Sequence, residues 1–253
     1  MARAAAASSN PAPLILLGCL VTALLMTVQA WPPLTFIFVM LGWILAVGVH
    51  EFGHAWVAWL GGDHTVEDKG YLTFDPRKYA DLHTTLIWPL IALALGGIGF
   101  PGGAVWLRED LMRGPLWRSA ASLAGPAGSF LVLLVLTLPL ALLPVAPEYE
   151  TLAAAVAFLA FLQATAVVLN LLPVPGFDGF GVLRPFLPVR MRVAAARFEP
   201  VAPLVVLAVL LLLPGASTVL FGLAVSLARA VGLPTDLVFQ GLSDFRFWTR
   251  LGT

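Results

Sequence analysis

His50-Glu51-Phe52-Gly53-His54 places two imidazoles and a carboxylate within five consecutive residues. On a helix, residues four apart share a face, so the two imidazoles lie one turn apart on one side. That is the spacing two ligands of a tetrahedral Zn2+ require. The glutamate between them is placed to act as general base on a water activated by such an ion. The flanks read Leu-Gly-Trp-Ile-Leu-Ala-Val-Gly-Val before and Ala-Trp-Val-Ala-Trp-Leu after. The ionisable groups therefore fall in a segment fit to cross a bilayer. An acid there costs about 2.5–3.5 kcal/mol on insertion scales, so a functional reason is the default expectation.

A catalytic zinc takes three protein ligands and keeps a fourth position for water. Most of the 14 acids fall in loops or in the tail. The exception is Asp178, in the run Asn170-Leu-Leu-Pro-Val-Pro-Gly-Phe-Asp178-Gly. Pro173 and Pro175 cannot continue the apolar helix before them, and Gly176 frees the backbone. A bent segment of this kind can fold back and present a carboxylate to a neighbouring helix. The one cysteine, Cys19, excludes an intrachain disulfide and a cysteine-based zinc cluster.

The elements that must position these groups are read from composition. Of 253 residues, 60% are hydrophobic and 11% charged, against about 25% charged in soluble domains. This predicts an all-α polytopic membrane protein, residues 1–253 forming one membrane-embedded domain. No basic patch with interleaved aromatics points to nucleic acid. Apolar runs long enough to span cover 13–30, 34–60, 119–144, 151–172, 200–214 and 216–232. The first is read as a retained helix rather than a cleaved signal peptide, because another apolar helix follows at once. A seventh run, 84–107, carries five glycines and a proline within 96–103, which suits a re-entrant or β-like segment lining a cavity. With 84–107 entering and leaving on one side, all 14 Lys and Arg fall on one side of the membrane. By the positive-inside rule that side is cytoplasmic, with both termini. About six transmembrane helices plus one Gly-rich segment are thus expected: a catalytic core over about 34–190, a helix pair over about 200–232 and an interfacial tail over 234–253. In this topology the helices carrying His50 and Asn170 run the same way, which brings Asp178 to the side of the histidines.

Other residues have plainer readings. His64 and His83 are expected at the surface, Gln163 as a structural residue, and Gly125-Pro126 as a point where two helices approach closely. Trp31, Trp106 and Trp117 fit interfacial anchors. The arginines of 184–197 follow from topology.

H-E-x-x-H in a transmembrane helix, with N-x-x-P-x-P-x-x-D-G ending a later parallel helix, resembles the site-2 protease family of intramembrane zinc metalloproteases. The resemblance covers about residues 40–190 and extends to Ala124-Gly125-Pro126 and the glycines of 96–103. It implies that His50, His54 and Asp178 bind one Zn2+ and that Glu51 activates water. It also implies that Asn170 holds the substrate backbone or steadies the transition state, and that 96–103 belongs to a substrate-binding loop. Phe177 and Phe180 stand where the family usually has Leu and often Gly.

The expected activity is hydrolysis of peptide bonds in transmembrane protein substrates, within or near the bilayer of a prokaryotic cytoplasmic membrane. A regulator, if any, is expected to be a separate protein, since no sensing domain is evident. Two alternatives belong to other classes. A metal transporter would use the same three ligands as a transit site and tolerate loss of Glu51, but no internal repeat supports it. A catalytically silent adaptor would normally have lost Glu51 or a ligand.

Overall fold

The structure, a computed structural model, describes residues 10–79 and 105–250. His83 and most of the run 84–107, including the glycines of 96–103, lie outside the described residues. The apolar runs form helices: α1 (Ala12–Val28), α2 (Pro32–Gly61), α3 (Pro115–Leu142) and α4 (Glu150–Asn170). After the Pro173–Gly176 turn come α5 (Asp178–Leu183), α6 (Val189–Ala196), α7 (Ala202–Leu212), α8 (Ala216–Ala230) and α9 (Thr235–Phe245). Among the described residues there is no strand.

Among the described residues, three helices are long and apolar enough to cross a membrane: α2, α3, and α4 with the turn that leads into it. The pair α7 and α8 makes a fourth if counted as one bent span. Read from sequence as two spans, these two helices have 11 and 15 residues and meet at 97°. Their lengths of about 16 and 22 Å fall short of a hydrocarbon core of about 30 Å. Pro214 and Gly215 separate them, the glycine in the left-handed region at φ 85°.

Helix α4 is the centre of the bundle. Ala153, Ala154, Ala155, Ala157, Ala160, Ala164 and Ala166 are all buried, and small side chains let neighbouring backbones come close. Leu159 packs on Gly42 of α2. Further along both helices, Asp178, just beyond the end of α4, reaches His50. Helices α2 and α4 therefore run parallel. Helix α3 runs against α2: Trp117 packs near Gly61, Ala124 near Gly53, and Gly128 near Val49. Leucines such as Leu14, Leu17, Leu24, Leu131 and Leu138 stay exposed on the outside, as a lipid-facing surface requires. Helix α9, in the tail read as interfacial, supplies a fully buried Phe245, whose ring lies 5.1 Å from Phe36 and 5.2 Å from Phe158.

The segments 62–79, 105–114 and 171–201 gather at one end of the bundle and carry most of the cationic residues. Asp63, fully buried, ties two of them together. It accepts from Thr65 and from the Arg108 backbone N–H, the latter at 2.7 Å. The Arg113 N–H donates to the Gly61 carbonyl. These bonds fix residues 105–108 over the C-terminal half of α2.

Candidate metal centre and active site

Seven residues separate His54 from the end of α2, and eleven separate His50, placing them about 10–16 Å inside the helix. Both are buried. The Pro173–Gly176 turn reverses the chain after α4. Gly176 takes φ 90°, which a residue with a Cβ reaches only under strain. Phe177 then buries itself against Leu169, Leu207 and Leu220, anchoring the residue beside it. The Ser119 hydroxyl donates to the Val182 carbonyl at 2.8 Å, docking α5 on α3. Asp178, first residue of α5, is thereby held against the histidines.

The three candidate ligands converge. His50 Nε2 lies 3.2 Å from Asp178 Oδ2, His54 Nε2 lies 3.3 Å from Asp178 Oδ1, and the two Nε2 atoms are 3.1 Å apart. Zinc–ligand distances of about 2.0–2.1 Å at tetrahedral angles put ligand atoms about 3.3 Å apart. The far nitrogens are committed elsewhere. His54 Nδ1 is 2.7 Å from the Ala121 carbonyl. A carbonyl only accepts, so Nδ1 carries the proton and the neutral ring presents a lone pair at Nε2. His50 Nδ1 pairs with the Ser129 hydroxyl at 3.0 Å. A carboxylate and two imidazole lone pairs at such separations repel one another unless a cation lies among them. The donor set fits Zn2+.

Helix α3 makes room for this cluster. A Cβ on Gly125 would run into both Nε2 atoms, so a methyl there would contest the space a cation needs. Ala121, Gly125 and Ser129, four apart, form one small-residue stripe facing the histidines. The stripe was visible in the sequence as spacing, but only the Gly125 approach was read from it. That Ala121 meets His54 and Ser129 meets His50 shows only once α3 lies against α2. Pro126 removes the N–H that the Ser122 carbonyl would take in a regular helix, loosening α3 beside Ala121.

Glu51 is buried next to the cluster, and its Oε2 accepts the Val105 N–H at 3.1 Å. His50, Glu51, His54, Asn170 and Asp178 all line one cavity of about 350 Å3, so the five candidate residues share a site. Val105, Trp106 and Leu107 form one wall, and Arg184 stands with Glu109 at 3.1 Å on another. His64 is exposed, as expected, and outside the site. Phe177 and Phe180, the departures from the family pattern, do not line the cavity. Gln163, read as structural, and Trp43 do line it.

Relatives carry the same chemistry in their names. The chain is 44% identical over 214 residues to a protein of Mycolicibacterium smegmatis named "Putative zinc metalloprotease Rip2", covering 85% of this chain and 82% of that one. Its namesake in Mycobacterium tuberculosis strain H37Rv is also 44% identical over the same shares. A Bacillus subtilis protein named as the zinc metalloprotease YwhC is 29% identical over 62% of this chain and 72% of its own length. Neither a family model nor a solved structure matches the chain.

Proposed function

Because the chain belongs to the site-2 protease family of intramembrane zinc metalloproteases, we propose that His50, His54 and Asp178 hold its zinc, with Glu51 as general base and Asn170 on the substrate. The protein is a zinc metalloprotease of the membrane, acting on membrane substrates. The observation that carries the assignment is the convergence of three ligand atoms within 4.8 Å of one another beside a buried glutamate.

When bound, zinc supplies Lewis-acid chemistry: it acidifies water and polarises a peptide carbonyl. His54, steadied by the Ala121 carbonyl, and His50, steadied by Ser129, keep their Nε2 lone pairs aimed at one point. Glu51 takes the proton from the attacking water at its carboxylate, which the Val105 N–H holds in place. It then passes that proton to the departing amine nitrogen, so the peptide bond gives way to a carboxylate and an amine. Asn170 offers an amide to a backbone group of the substrate. A helical substrate hides its carbonyls in its own hydrogen bonds and must unwind to be cut. Residues 105–107, which wall the cavity, would flank the unwound segment. The cavity's burial limits water to what the charged end admits.

Within the same reading, 34–190 is the catalytic core and the cationic end faces the cytoplasm. A separate protein supplies any regulation. Retention of Glu51 in the cavity favours hydrolysis over metal transit, which needs no base.

The test requires no known substrate. Membrane proteomes are compared from cells expressing the wild type or Glu51→Gln, and new termini inside membrane segments are sought. Termini that accumulate only with the wild type support the assignment. The same termini in both would overturn Glu51 as base.

A further inference from the structure

The cavity does not end at the metal site. Trp43 stands seven residues before His50 on α2, and Gln163 seven before Asn170 on α4. Because α2 and α4 run parallel, both lie about 10 Å deeper, toward the same end of the bundle. Trp43 is 3% and Gln163 1% exposed. Both line the cavity, with Val47 and Ala166 between them and the catalytic residues. Among the described residues, neither Trp43 Nε1 nor Gln163 Nε2 has a hydrogen-bond partner. An unpaired buried donor is costly, and although both side chains line the cavity, each nitrogen is itself closed over, so a bound group reaches it only as the side chains turn.

We propose that these two N–H groups form a subsite for a backbone carbonyl of the substrate, about three residues from the scissile bond. This rests on the protease reading and deepens it. An extended chain advances about 3.3 Å per residue, so about 10 Å corresponds to three. A carbonyl oxygen has two lone pairs and accepts one N–H from each residue. A membrane segment brings few polar side chains, but once unwound it exposes carbonyls that lipid cannot satisfy. The subsite therefore recognises what every such substrate supplies, whatever its sequence.

The test measures binding, not turnover. Zinc-loaded protein in nanodiscs is titrated with acetohydroxamate, which reaches only the metal. It is then titrated with peptide hydroxamates extending three residues to either side of the chelating group. Each peptide is paired with an analogue in which a trans-alkene replaces the third residue's amide. In one of the two directions, the amide binds wild type about tenfold tighter than the alkene. In Gln163→Leu and Trp43→Phe that preference shrinks, and in the double variant it vanishes, while acetohydroxamate binding and zinc content stay unchanged. Equal binding of amide and alkene in both directions overturns the subsite and leaves a water-filled recess. A preference that survives the double variant also overturns it. Failure of acetohydroxamate to bind the zinc-loaded wild type overturns the metalloprotease site itself, and the subsite with it.

Discussion

The two ends of the cavity differ in how their polar groups are satisfied. At the metal end three of the four groups have a partner outside the cluster: His50 has Ser129, His54 the Ala121 carbonyl and Glu51 the Val105 N–H, while Asp178 faces the two Nε2 atoms. At the deep end, Trp43 Nε1 and Gln163 Nε2 have none among the described residues. Groups that perform chemistry must be held in one geometry before substrate arrives, so the fold spends its own hydrogen bonds on them. Under the proposed subsite, the deep groups keep their bonding capacity free until substrate arrives.

The comparison can be broken most severely at Gly125. Gly125→Ala puts a methyl against both Nε2 atoms, and zinc content is expected to fall from about one per chain to near zero. Metal analysis of the purified protein checks this. Glu51→Gln keeps the ligands and removes the base. Zinc stays, while peptide cleavage falls by about 10²–10⁴-fold, measured on any membrane peptide found in the proteomic comparison. Ser129→Ala leaves His50 in place but frees its ring to turn. Zinc affinity should weaken by about 10–100-fold, read by competition with a chelator. At the deep end the sign reverses. Gln163→Leu replaces an unpaired amide by an apolar group of similar size, so the protein without substrate should gain about 1 kcal/mol. A rise in thermal midpoint reports it, and a fall would mean the amide has a structural partner.

The metal end was legible in the sequence because its signals are local. H-E-x-x-H needs only one helix to align two imidazoles, and the prolines before Asp178 announce their turn wherever the helix lies. Charge placement gave the parallel course of α2 and α4, and the structure brings Asp178 to His50 and His54 accordingly. The deep end was not legible. A lone glutamine in an alanine-rich helix reads as structural, and only the packing of α2 on α4 puts Trp43 in the same cavity. Run length also misled at the C-terminal pair. Hydropathy counts residues on either side of Pro214-Gly215 but not the 97° between the helices. Phe245, next to Arg246, looked like an interfacial aromatic, yet the α9 surface around Gly241 approaches Ala154 so closely that the ring enters the core.

The central claim is that two halves of the sequence, far apart in the chain, share one zinc. The most direct test is the zinc content of the purified wild type beside Asp178→Ala, with helical content as the control for folding. The account predicts about one zinc per wild-type chain and its loss from the folded variant. A folded Asp178→Ala protein that keeps its full zinc would contradict it.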